Sequence, residues 1–113
     1  MEKLNLKQLG EAIPKLYQYD VIARMNGHSF TLVRVNDRTL DFHIHADSDE
    51  VFFIVSGEMK LEFRDKIVEL KTGEMCVVPK GIEHRPICTS EVICLLIEED
   101  GTLTAENTGG TYV

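Results

Sequence analysis

The 113-residue chain is poor in several features that would assign it to common protein classes. Its three cysteines, Cys76, Cys88 and Cys94, are odd in number and contain no C-x-x-C spacing. That argues against a disulfide framework and fits reduced thiols used as buried apolar filler. Basic residues are outnumbered, with 12 Lys and Arg against 19 Asp and Glu. The net charge of -7 and pI near 5.0 argue against a general affinity for nucleic acid or anionic membrane. No apolar run approaches the roughly 20 residues of a membrane span. The opening stretch MEKLNLKQLGEAIPK lacks the apolar core of a signal peptide, so a cytoplasmic location is expected. There is no repeat of fixed period, no low-complexity segment and no helix-turn-helix segment, and the last absence argues against direct DNA regulation. The length supports one shared core rather than two, and 43% apolar with 27% charged residues is ordinary globular composition.

What is present reads as a helical prelude over residues 1–16, a β-barrel over 17–98 and a tail over 99–113. Asn5 can cap a short helix in which Leu6, Leu9 and Ile13 recur at helical spacing; Gly10 and Pro14 keep it short. Such a helix is expected to cover an open end or edge of a sheet. From Tyr17 onward, turn signals recur every eight to twelve residues, the spacing of an all-β sandwich or barrel. Asn26-Gly27 between VIARM and HSFTLVRV is the strongest hairpin signal, because both residues tolerate the positive φ of a type I′ turn. The segments TLDFHIH, EVFFIV, EMKLEF, KIVEL, EMCVVP and VICLLIE are expected as strands. EMKLEF alternates, with Met59, Leu61 and Phe63 on a dry face. EVFFIV and VICLLIE are apolar on both faces, which predicts cover from a second sheet or a second subunit, and hence a homodimer. Tyr112 and Val113 could dock the tail.

Only four histidines occur, and two of them, His43 and His45, share one strand face in DFHIHADSDE. Glu50 shares its face with the inward Phe52 and Ile54, and His84 follows the turn at Lys80-Gly81. Three imidazoles and a carboxylate converging inside a barrel suit a borderline divalent transition metal. Without a cation, an ionised glutamate buried there would cost several kcal/mol. Two other readings stand beside this one. Histidines can be buried and hydrogen-bonded without metal, and structural zinc sites are usually cysteine-rich, whereas no cysteine joins this set. Amidohydrolases also carry H-x-H, but on a (β/α)8 barrel of about 250 residues. His28, beside the Asn26-Gly27 turn, reads as a surface residue.

At these residues the chain resembles the cupins, specifically the small single-domain bacterial type. His43, His45, Glu50 and Gly57 meet the first cupin motif, G-x5-H-x-H-x3,4-E-x6-G; Gly73, Pro79, Gly81 and His84 meet the second, G-x5-P-x-G-x2-H-x3-N. Asp37 stands where the first motif begins with glycine and Cys88 where the second ends in asparagine. The resemblance covers residues 37–98 and implies an all-β double-stranded β-helix, a jelly-roll barrel, with a metal near one mouth. His43, His45, Glu50 and His84 would hold Mn, Fe, Co, Ni or Zn. An octahedral ion would keep two positions open, and its residual positive charge would favour a carboxylate, enolate or hydroxy-keto ligand.

Phe52, Ile54, Met59 and Leu61, with Met75 and Val77, are expected to line an apolar substrate pocket. Arg85 could bind an anion at the mouth, although its parity is opposite to that of His84. Cupins include dioxygenases, isomerases, decarboxylases and sensing domains, so the fold does not select the chemistry. Short chains of this kind are often likened to mannose-6-phosphate isomerase, by analogy alone. The expected function is a metal centre that binds or acts on a small oxygenated molecule, as a dioxygenase or isomerase if it is an enzyme. The alternative is a non-catalytic binding or sensor module with a structural metal. A metal-free epimerase is disfavoured by the full ligand set.

Overall fold

The computed structural model describes residues 1–103, and the expected docking of Tyr112 and Val113 lies outside the described residues. Among the described residues, nine strands form two antiparallel sheets that close on each other as a jelly roll: β1 (Tyr19–Met25), β2 (His28–Val35), β3 (Arg38–Thr39), β4 (Glu50–Ser56), β5 (Glu58–Phe63), β6 (Ile67–Lys71), β7 (Met75–Val78), β8 (His84–Cys88) and β9 (Val92–Glu99). One sheet has the order β1-β2-β9-β4-β7 and the other β3-β8-β5-β6. Among the described residues, no helix is long and apolar enough to cross a membrane.

Alternation fixes which side chains face inward. On β4, Glu50, Phe52 and Ile54 are buried; on β5, Met59 and Leu61 are buried while Lys60 is exposed. The β1–β2 hairpin turns at Asn26 (φ 51) and Gly27 (φ 76), the two positive φ angles of a type I′ turn. Asp37 also adopts a left-handed φ of 49 at the place where the motif has glycine, a conformation that aspartate tolerates better than most residues.

Three expectations are corrected. Helix α1 (Leu6–Glu11), capped by Asn5 Oδ1 accepting from the Gln8 N–H at 3.0 Å, does not plug an end or an edge. It packs on the outer face of the larger sheet, with Leu6, Leu9 and Ile13 in a cluster with Leu32, Ile93 and Leu95. The second apolar face of VICLLIE is therefore covered within the chain, and its two-faced pattern is no argument for a partner. The reason lies in Gly10: a Cβ there would come within 2.4 Å of Ile93 Cγ2, so glycine lets the helix sit close to the sheet. The second correction is the TLDFHIH strand, which shrinks to β3 plus an isolated bridge between His43 and His84. The third concerns β7, where pairing of Glu50 with Val78 and Phe52 with Cys76 turns Val78 and Cys76 inward. Met75 and Val77 are left 54% and 49% exposed, outside any interior pocket.

Gly57 allows β4 to turn into β5 at φ +99, and a Cβ there would lie 2.6 Å from the Glu91 carbonyl oxygen. At Gly73 (φ +85) nothing lies within 4 Å of the same added atom. Backbone strain alone costs about 1–3 kcal/mol, so Gly73→Ala is expected to lower Tm by several degrees. Gly57→Ala, which adds a clash with immobile backbone, should lower it clearly further. Thermal denaturation of the two variants side by side checks the order.

Candidate metal centre

Backbone pairing brings together two segments far apart in sequence. The His43 N–H donates to the His84 carbonyl at 2.9 Å and the His84 N–H returns the bond at 3.0 Å. The Gly81 N–H donates to the His45 carbonyl at 2.9 Å, tying the turn before β8 to the same segment. The H-x-H alternation survives although the strand does not. His45 is buried and His43 half-buried, while Ile44 is exposed and Phe42 faces away from the centre. Phe42 is flanked by guanidinium groups, Arg64 at 3.8 Å and Arg85 at 4.5 Å from its ring. Arg85 is ion-paired with Glu62 at 2.7 Å, so its charge is answered within the outer face of the smaller sheet instead of at the mouth.

Candidate donor nitrogens of His43, His45 and His84 all lie within 4.8 Å of one another. The ring centroids are 4.6 to 5.5 Å apart. Two of the rings are oriented by their own backbone. His43 Nδ1 lies 2.9 Å from the Asp41 carbonyl and His84 Nδ1 lies 2.8 Å from the Ile82 carbonyl. A carbonyl only accepts, so each Nδ1 carries the proton and each Nε2 is the atom available to a metal. Glu50, 2% exposed, completes the set from β4 with Oε1 3.1 Å from His84 Nε2 and 3.2 Å from His45 Nε2. The contact to His84 has hydrogen-bond geometry; that to His45 does not, and His45 Nε2 has no hydrogen-bond partner.

The titration shifts follow from this packing. Burial would raise the Glu50 carboxyl, but the facing imidazoles outweigh it and hold the group down at about 2. Burial lowers His84, and the Glu50 carboxylate with the Ile82 carbonyl more than offsets it, so the net shift is upward. His43 is lowered chiefly by burial, against a lift from the Asp41 carbonyl, and its two neighbouring imidazoles add smaller lowering contributions. Glu50 thus favours the protonated form of His84 in the metal-free protein. Two oriented imidazoles, an orphaned third nitrogen and a buried ionised carboxylate form a donor set compatible with a divalent transition metal.

A fifth buried group at this end, Glu98, was not among the expected site residues. It is 1% exposed on β9, and the one side-chain hydrogen bond that shifts its titration is with the Glu50 carboxylate, to which only a protonated Glu98 can donate. Strand parity could have revealed it, since Val92, Cys94 and Leu96 face inward and Glu98 continues their row. One step beyond the Val51–Ile97 pair, it faces Glu50 across the ladder. Burial, and then the adjacent Glu50 charge, raise its carboxyl to about 10, so at neutral pH Glu98 is a neutral acid.

Of the four expected pocket residues, Phe52 and Met59 line an interior cavity, and the Phe52 ring stands 5.8 Å from that of His84. Ile54 and Leu61 have no exposed surface and belong to the core cluster. The cysteines are unpaired. Burial raises Cys88 to about 11 and Cys94 well above its ordinary value, leaving both as inert thiols at neutral pH. His28 is an exposed strand-end residue.

A two-sheet antiparallel jelly roll with three histidines and a glutamate gathered inside it is the architecture of a cupin. The cupin domain model matches residues 30–98, and the chain belongs to that family. It is 38% identical to a crystallised cupin-2 domain protein from Shewanella frigidimarina NCIMB 400, at a TM-score of 0.80 over 85% of this chain and 93% of that one. A crystallised protein from Neisseria meningitidis, also 38% identical, superimposes at 0.77 over 88% of this chain and 100% of its own. The uncharacterized YdbB protein of Bacillus subtilis (strain 168) is 30% identical over 95 residues, 83% of each chain.

Proposed function

We propose that the chain is a divalent-metal-binding cupin whose His43, His45, Glu50 and His84 hold one transition-metal ion, and that the ion receives a small oxygen-bearing molecule. The observation that carries this reading is the clustering of three candidate donor nitrogens within 4.8 Å beside a buried carboxylate. When bound, the metal supplies Lewis acidity. The chain's own residues do the rest: the Asp41 and Ile82 carbonyls aim two imidazoles, and Glu50 provides the anionic donor. The apolar wall around Phe52 keeps water from the inner side. Mn, Fe, Co, Ni and Zn are the candidate ions. Met75 and Val77 leave an apolar strip at the β7 edge beside the half-buried Val51 and Phe53, and we assign this strip to a homodimer contact. The cytoplasm is the proposed location.

Elemental analysis of protein purified without added metal tests the central reading. About one equivalent of a transition metal per chain is expected. Less than a tenth of an equivalent, with no uptake on titration, would sink it.

A further inference from the structure

The three imidazoles of the centre are not held alike. His43 and His84 each direct Nδ1 at the carbonyl two residues back, Asp41 and Ile82 respectively. For His45 the corresponding acceptor is the His43 carbonyl, and that oxygen is already engaged by the His84 N–H at 3.0 Å in the bridge that joins the two segments. Among the described residues, no hydrogen bond reaches His45 Nδ1. An imidazole that gives Nε2 to a metal carries its proton on Nδ1, and that N–H ordinarily donates to a carbonyl, a carboxylate or water. The bridge that assembles the centre therefore takes away the acceptor that aims the other two rings.

His45, its side chain 5% exposed, lines an open cleft of about 660 Å³ with Ile44, Asp47, Glu99 and Asp100. In the five-membered ring the bond opposite Nε2 is Cγ–Nδ1. With Nε2 buried 3.2 Å from Glu50 Oε1, Nδ1 is the nitrogen on the cleft side. Three carboxylates stand in that cleft. Asp100 is committed, because it accepts from the Ser29 hydroxyl and pairs with Arg24 at 3.4 Å. Glu99 follows the buried Glu98 on β9, so alternation turns its side chain to the outer face of the sheet. Asp47 lies two residues beyond His45, at the bend that begins at Ala46. It is exposed, and its carboxylate makes no ion pair or hydrogen bond with another described residue.

We propose that Asp47 is a positioning residue of the metal centre: its carboxylate accepts from the His45 Nδ1–H and fixes the tautomer that presents Nε2 inward. It thus does for the third imidazole what the Asp41 and Ile82 carbonyls do for the other two. Turning an exposed side chain about its own bonds is the only movement required. An ionised acceptor also makes the stronger bond, and raises the basicity of the ring it orients. The purpose of this bond rests on the metal reading above, whereas the bond itself belongs to the chain.

The full chain labelled with 15N-histidine is loaded with Zn(II), and zinc affinity is measured against a competing chelator. Asp47→Ala is expected to weaken zinc binding by roughly tenfold or more. Asp47→Asn, which keeps an oxygen acceptor, should recover part of the loss, and Glu99→Ala should leave the affinity within about twofold of wild type. In the zinc-loaded wild type the His45 Nδ1–H proton should be protected from exchange with water, and in Asp47→Ala it should exchange freely. Wild-type affinity in Asp47→Ala, or a loss that appears in Glu99→Ala instead, would overturn the proposal. So would weaker zinc binding with the Nδ1–H still protected, since Asp47 would then be no more than a nearby charge. Should the chain take up no metal, the metal reading falls separately and Asp47 is decided on metal-free protein. There the 15N shifts report the fraction of His45 protonated on Nδ1, which must fall in Asp47→Ala and hold in Glu99→Ala; an unchanged fraction overturns the assignment.

Discussion

Replacing Glu50 with glutamine is expected to weaken divalent-metal binding by more than about a hundredfold, since loss of partners that only orient the ligands already costs roughly 10–100-fold. Glutamine keeps the size and an oxygen that can accept from His84, so the barrel should persist. What disappears is the anion that draws a dication into a site where it is 2% exposed. The loss reads out as thermal stability. A metal present at a thousand times its Kd stabilises a folded protein by about 4 kcal/mol, and a hundredfold weaker site leaves about 1.4 kcal/mol at the same concentration. The metal-dependent rise in Tm of Glu50→Gln should therefore be about a third of the wild-type rise or less. Equal rises in the two proteins would mean that the ion sits elsewhere. Metal uptake should also weaken as pH falls, because the ion must displace the proton that Glu50 and Ile82 hold on His84 above its ordinary pKa.

The parts of this centre that were legible in the sequence are those written in short-range spacing. H-x-H places two imidazoles on one side whether or not a strand forms, and here alternation persists through a single bridge. Glu50 could be assigned by parity with Phe52 and Ile54, and His84 by its distance from Gly81 in the second motif. The rest depends on register and on long-range cover. EMCVVP is apolar on both sides, so only the β4–β7 pairing decides that Val78 turns inward and Val77 outward. The outer face of VICLLIE looks unpaired in a string, because the helix that covers it lies some eighty residues upstream and depends on the missing side chain of Gly10. Glu98 escaped because the run EED resembles the polar end of a strand. Its burial comes from lying between β2 and β4, where Ser29 and the Glu50 row flank it. Arg38, at a variable position of the first motif, carries no local signal of the cavity it lines.

Glu98→Gln is expected to stabilise the metal-free protein at pH 8 and to destabilise it by about 1–2 kcal/mol at pH 5, where the buried amide outweighs the small penalty left on Glu98. The sign follows from where the proton sits. With its folded-state pKa raised from 4.5 to about 10, Glu98 keeps a proton that the unfolded chain releases above pH 4.5. Folding then takes up a proton throughout that window, and stability falls as pH rises from 4.5 towards 10. At about 1.4 kcal/mol per unit, the wild type at pH 8 carries a penalty of up to about 5 kcal/mol from this one group. Glutamine has no proton to lose and removes it. Allowing for a fresh buried amide, a net gain of about 2–3 kcal/mol, or roughly 8–12 °C in Tm, is the expected outcome. His84, also raised, loses its stabilising proton as pH climbs through its folded pKa, but it does so in both proteins and cancels in the difference. Glu50, held at about 2, keeps its contribution above pH 4.5 and loses it only as the pH falls towards 2. The Tm values of the two metal-free proteins, followed from pH 5 to pH 9, should therefore cross and then diverge. Parallel curves would show that Glu98 is already ionised in the fold, and the two facing carboxylates would then need a cation between them even before any transition metal is supplied.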